Sequence, residues 1–343
     1  DYDHDGDLDL FIGTRVVPGN FPFSQTSLLL RNDSKKNAIQ FTDVTSGNAP
    51  AFKDAGMITD AVWYDVDKDG WDDLLAVGEW TGLKIYHNDK GKLRDYSKEY
   101  GLENTGGFWN KIIPADVDND GDIDFVLGNL GDNTSFKASR QKPLTIYAND
   151  FNGDGRVDPV LTWYVQDKSY PFNSRDELAE QMPELNKKFL RYADFADATI
   201  ESMFSPEQIS QSAKFYIHTT HSSLLINNGK NQFQLKPLPL EAQFSMVEGI
   251  TYDDYDGDGN KDVLLTGNFF PFRVQQGRSD AGIGCLLKGD AKGNFTTVKM
   301  EQSGLLVQGD VRDMVTLKSK KGTTIIISKN SGPIQVLQKN INK

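Results

Sequence analysis

The chain of 343 residues carries one cysteine, Cys285, and four histidines, His4, His87, His218 and His221. A single thiol excludes an internal disulfide framework, and its expected role is that of a small buried apolar side chain. "HTTH" at His218 is too short a signal for a zinc pair. No apolar run approaches the roughly eighteen residues of a membrane-spanning helix. Positive charge is scarce, with 37 Lys and Arg against 49 Asp and Glu and a net charge of -12, which argues against nucleic acid and anionic membranes as partners. No Ser/His/Asp order, nucleophile elbow or phosphate-loop lysine stands out, and "GNLGDN" and "GDAKGNF" are rich in turn residues only.

What the chain does hold is acid at fixed spacing. "DVDNDGDID" places Asp116, Asp118, Asp120 and Asp124 within nine residues, with Gly121 after the third. Like charges so close need full solvation or a cation among their oxygens. The pattern D-x-[DN]-x-D-G-x-x-D recurs at Asp1 ("DYDHDGDLD"), Asp65 ("DVDKDGWDD"), Asp150 ("DFNGDGRVD") and Asp254 ("DYDGDGNKD"). Hard cations such as calcium take six to eight oxygens, and a loop with ligands at positions 1, 3 and 5 wraps the ion if glycine at position 6 makes the turn. Position 7 then offers a backbone carbonyl and position 9 closes the shell. The expected ligands are Asp1, Asp3, Asp5, Asp7 and Asp9; Asp65, Asp67, Asp69, Trp71 and Asp73; Asp116, Asp118, Asp120, Asp122 and Asp124; Asp150, Asn152, Asp154, Arg156 and Asp158; and Asp254, Asp256, Asp258, Asn260 and Asp262. Five structural calcium ions would return most of the missing positive charge. Closure at position 9 separates these loops from an EF-hand, which closes at position 12 between helices.

Short apolar runs follow the loops, such as "LLAVGEW", "FVLGN" and "VLLTGN", and others precede them, such as "MITDAVWYD" and "MVEGITYDD". Runs of that length and composition read as buried strands, so each loop is a hairpin connection. A third strand ends in a tight turn ("SLLLRND", "LKIYHND", "SLLINNG", "GCLLKGD") and a fourth follows ("QFTDVT", "LRDYSKE", "QFQLKPL", "NFTTVKM"). Four antiparallel strands at a period near 50 describe propeller blades. Loop starts fall 64, 51, 34 and 104 residues apart, so the third unit reads as truncated or irregular and the fourth as holding an insertion. A sixth unit, from "VQGDVRDMVTLKSKKGT" onward, keeps the strands but has lysines where the metal loop stood. Residues 168–222 read as a small helical insertion, with capping boxes "SRDE" at Ser174 and "SPEQ" at Ser205. Leu185, Phe189, Tyr192, Phe195, Ala196, Ile200 and Met203 supply its apolar face, either as a flap packed on the propeller or as a lid.

These loops and strands resemble the FG-GAP/VCBS repeat family of calcium-looped β-propellers, to which the integrin α-subunit head belongs. The passages "RVVPGNFPFSQTSLLLRND", "GMITDAVWYDVDKDGWDDLLAVGEW", "GNLGDN" and "DYDGDGNKDVLLTGNF" also resemble a bacterial branch found with ASPIC/UnbV-type modules in Bacteroidetes. The resemblance implies an all-β, seven-bladed propeller with about six units visible, spanning 1–343 as a single domain in an extracellular or cell-surface setting. The chain opens inside a loop of the pattern, so a fragment is expected, with any targeting segment upstream.

Function is less legible. Glu79 and Glu248 lie outside the loops and read as structural, while the paired carboxylates that glycosidase chemistry would need are committed to metal. In a four-stranded meander calcium marks one face, and the opposite face collects "GTRVVPGNFPF", "GEWTG", "GNLGDNTSF", "TWYVQDKSYPF" and "GNFFPFR". Loops on a rigid scaffold often carry binding, and Arg15, Glu79, Trp80, Asn129, Trp163, Asn268 and Arg273 are the expected contacts for a glycan or protein partner. Phe21, Phe23, Phe172 and Phe272 could instead pack beneath the insertions. The expectation is a non-enzymatic binding or adhesion module. The alternative, from calcium propellers that resemble this one, is a polysaccharide lyase.

Overall fold

Alternating apolar residues and glycine-terminated runs fold here as antiparallel sheets. The computed structural model describes residues 1–339 apart from 230–231, 274–275 and 321. Five sheets follow one another along the chain. The first joins Leu10–Ile12, Leu28–Asn32 and Phe41–Asp43, and the second Met57–Tyr64, Asp73–Thr81, Lys84–Asn88 and Leu93–Asp95. The third joins Lys111–Ala115, Asp124–Gly128, Ser223–Asn227 and Phe233–Pro237. The fourth holds Val247–Asp253, Asp262–Gly267, Cys285–Gly289 and Phe295–Val298, and the fifth Val311–Ser319, Gly322–Lys329 and Gln335–Gln338. Apolar cores fill the spaces between consecutive sheets. Leu29, Phe52, Ile58 and Leu74 pack between the first and second, Leu75, Trp109, Phe125 and Leu225 between the second and third, Val126, Leu224, Val263 and Leu287 between the third and fourth, and Leu264, Val311 and Ile327 between the fourth and fifth. This is the β-propeller layout expected of the strand pattern.

The short third interval has a different cause from truncation. "SLLINNG" pairs with the second strand of the third sheet, Phe125 opposite Leu225 and Val126 opposite Leu224, and "QFQLKPL" pairs beyond it. The third sheet is therefore complete, and residues 129–222 are inserted between its second and third strands. That insertion contains a sheet of its own, ordered Lys168–Pro171, Asp158–Val165, Leu144–Asn149 and Ala213–Ile217, which carries the Asp150 loop. Helices at Arg175–Gln181, Glu184–Lys188, Tyr192–Ala196, Ile200–Met203 and Pro206–Gln211 pack on it. Both expected capping boxes form, at Ser174 with Glu177 and at Ser205 with Gln208. Leu185, Phe189, Ile200 and Met203 are buried beside Phe151 and Val160. Tyr192 is not part of that face: it is exposed, with the Arg175 guanidinium over its ring and its hydroxyl donating to Asp176. No helix among the described residues is long and apolar enough to cross a membrane.

Candidate functional site

Four of the acidic loops bridge the first and second strands of their sheets as hairpin connections. Tyr64 pairs with Asp73, Ala115 with Asp124, Asn149 with Asp158 and Asp253 with Asp262. Position 4 takes a positive φ in every loop, at His4, Lys68, Asn119, Gly153 and Gly257, as does the glycine at position 6. These two left-handed residues coil the backbone so that its N–H groups point at the carboxylates. In the second loop Asp65 accepts from the N–H groups of Asp69 and Gly70, at 3.1 and 2.9 Å.

The aspartate at position 9 does more than close the loop. One oxygen accepts from the N–H at position 2, as Asp124 does from Val117 at 3.0 Å. The other accepts from the third strand: Asp9 from Asn32, Asp73 from Asn88, Asp124 from Asn227 and Asp262 from Gly289. In four of the five loops position 9 thus ties its loop to the third strand. In the second, third and fourth sheets it also lies with positions 1 and 3, their oxygens within 4.8 Å of one another, and in the first loop Asp1, Asp3 and Asp5 do the same. His87 joins Asp67 and Asp69 in a similar group. The donors fit a cation on an observation of the structure. Among the described residues Asp3, Asp116 and Asp158 each carry a buried carboxylate oxygen without a hydrogen-bond partner, and burial lifts Asp73 and Asp124 to about 6.

Sequence reasoning missed the third-strand residue that precedes each of these N–H donors, Arg31, His87, Ile226 and Lys288, two of which reach loop aspartates. His87 Nδ1 lies 3.1 Å from Asp73 and 3.4 Å from Asp67. Lys288 pairs with Asp256 and, at 2.7 Å, with Asp258. Aligning the four third strands would have exposed this shared position. Neighbouring loops also touch, since His4 stacks on Trp71 at 3.9 Å and Lys68 reaches Asp122 at 2.6 Å.

The ends of the strands away from the loops surround a cavity of about 510 Å³, lined by Arg15, Ile58, Thr59, Asp60, Glu79, Lys111, Met246, Glu248, Phe269, Arg312 and Asp313 among others. Three first strands begin here with a register shift, between Ile58 and Asp60, Val247 and Gly249, and Val311 and Asp313. The unpaired residues of these bulges are Thr59, Glu248 and Arg312, and all three line the cavity. A bulge re-aims one side chain out of the alternating pattern, which is the reason the second, fourth and fifth sheets can turn polar groups toward one axis. Arg15 pairs with Glu79 at 2.7 Å, Lys111 with Asp313 at 3.1 Å and Asp60 at 3.5 Å, and Arg312 with Glu248 at 3.4 Å. Burial pushes the Glu248 carboxyl up to about 7 despite Arg312, with Glu79 adding repulsion.

Of the expected contacts, Arg15 and Glu79 meet in this cavity. Asn129 and Asn268 do not offer themselves to a ligand, being 0% and 2% exposed. The Asn129 amide donates to the Thr219 and His221 carbonyls and accepts from the N–H groups of Phe108 and Leu130, while Asn268 donates to the Gly282 and Gly309 carbonyls. They hold loops in place. Trp80 and Trp163 belong to an aromatic chain that runs from Trp80 through Phe108, Phe136 and Phe172 to Trp163, at ring separations of 4.9 to 5.8 Å, and seats the insertion on the propeller. Phe23 contacts Phe215 of the inserted sheet and Phe272 packs on Phe269, whereas Phe21 is exposed. Arg273 is exposed and lies 3.8 Å from Glu177.

Residues 65–127 match the FG-GAP-like repeat. That repeat runs from the second acidic loop to the end of the second strand of the third sheet, and so spans two loops and the core between their sheets. No curated protein matches the chain. A solved structure of an Agrocybe aegerita lectin, described with its specific recognition of non-reducing terminal N-acetylglucosamine, superposes over 97% of this chain and 80% of that chain, with 14% identity and a TM-score of 0.26. A similarity that distant assigns neither fold nor ligand here.

Proposed function

We propose that the protein is a calcium-stabilised propeller that acts as a non-enzymatic binding or adhesion module, its glycan or protein partner meeting the face opposite the acidic loops. The observation that carries this is the convergence of the bulge residues Thr59, Glu248 and Arg312 on one polar cavity at the mouth of the central channel. Calcium is the ion that suits oxygen-only loops of this spacing, and the clamped position-9 aspartates give it a structural role. A secreted or cell-surface setting, and kinship with the bacterial ASPIC/UnbV-associated branch, accord with such a module. Fractionation of the source cells would test the setting.

The function is tested by screening the calcium-loaded protein against glycan, polysaccharide and protein panels, recording both binding and bond cleavage. Binding lost in Arg15→Ala with calcium content intact supports the mouth. Ligand displaced by substitutions beside Asp65 or Asp254 would place the site on the other face. Cleavage of a polysaccharide would select the lyase alternative.

A further inference from the structure

The charges around the channel mouth follow an order. Asp60 is next to Lys111, Lys111 to Asp313, Arg312 to Glu248, and Arg15 to Glu79, so opposite signs are paired along the rim. The alternation breaks once. Glu79 and Glu248 face the same cavity, close enough to repel; Glu79 is paired with Arg15 and Glu248 with Arg312, and the pull of Arg15 on Glu248 is weaker than the repulsion from Glu79. Their side chains are only 29% and 15% exposed, so water compensates them poorly. Beside this gap the lining turns apolar, with Ile58, Met246 and Phe269.

Resting on the binding-face reading above, we propose that the gap between Glu79 and Glu248 receives a lysine-type side chain of a protein partner, its ammonium between the two carboxylates and its methylene stem along Ile58, Met246 and Phe269. An ammonium there completes the alternation of charge, and its three donors suit two carboxylates set apart by their own repulsion. The stem favours a lysine over an amino sugar, because an aliphatic chain covers the apolar lining while its head stays with the acids.

The test is titration of the full chain, in calcium, with Nα-acetyl-lysine methylamide, with its norleucine counterpart, which keeps the stem without the ammonium, and with glucosamine, which keeps the ammonium without the stem. The lysine probe should bind at least about tenfold more tightly than either of the others, and Glu79→Gln and Glu248→Gln should each weaken it by about tenfold. Equal binding of the norleucine probe overturns the ammonium, and equal binding of glucosamine overturns the protein side chain. Wild-type affinity in both glutamine variants overturns the location. Should either variant lose its calcium content or melt early, the contrast among the three probes on the wild-type chain decides alone. A neutral ligand that needs Arg15 but ignores Glu248→Gln would defeat this inference and leave the binding face standing. A partner bound elsewhere would defeat the binding face without touching the probe result.

Discussion

Gly78 and Gly267 occupy equivalent positions near the ends of second strands, each before a glutamate or asparagine that the sequence marks as a contact. A Cβ on Gly267 would sit 1.7 Å from the Met246 carbonyl, and one on Gly78 would sit 2.1 Å from that of Met57. Backbone cannot yield as a flexible side chain can, so Gly267→Ala should cost more than about 3 kcal/mol in chemical denaturation. A loss below about 1 kcal/mol would mean that the strand shifts freely. Asn129→Ala should cost about 2–4 kcal/mol, since it strips partners from two N–H groups and two carbonyls at once. Equal stability with altered ligand binding would return Asn129 to the contact surface. The sequence shows that a glycine and an amide recur here, but not which way the amide turns. That depends on the Thr219 and His221 carbonyls, some ninety residues along the chain.

At the scale of elements, aromatic contacts seat the insertion against Trp80 of the second sheet and the neighbouring Phe108. Leu127 pairs directly with Ser223, so a short turn in place of residues 129–222 should leave the third sheet able to close. The shortened protein should melt cooperatively and bind a hydrophobic dye through the uncovered Trp80 and Phe108. Failure to fold would show that the insertion is part of the core. The strands, the hairpin loops and both capping boxes were legible because each rests on local spacing. Ownership of "SLLINNG" was not, because a third strand fits either neighbour by pattern and only long-range pairing decides. The cavity was half legible. Arg15 follows a second strand and Glu79 lies near the end of one, where loop logic applies, whereas Glu248 and Arg312 owe their direction to bulges that alternation alone does not announce.

Across the whole molecule, calcium in the acidic loops, as proposed, would make stability depend on cation and proton together. Asp73 and Asp124 are raised by burial to about 6, so the cation-free fold prefers them protonated and loses stability as pH rises from the ordinary carboxylate range through that value. A bound cation reverses the sign by holding both ionised, and that gain fades as pH falls. Calcium at one hundred times its dissociation constant adds about 2.7 kcal/mol per site. The difference in melting temperature between calcium-loaded and chelator-treated protein should therefore be large at pH 7 and small at pH 5 by scanning calorimetry. A difference that is the same at both pH values would separate these carboxylates from the metal.

The placement of the insertion also sets an order of assembly. As the chain leaves the ribosome, Asp124–Gly128 emerges with one edge unpaired, and its partner Ser223–Asn227 follows only after the whole inserted sheet and its helices. The inserted strands pair among themselves, with hairpin neighbours close in sequence, and can close first. The newborn third blade therefore waits with an open edge, the state most exposed to mispairing with another chain, and the speed at which the insertion folds determines how long that exposure lasts.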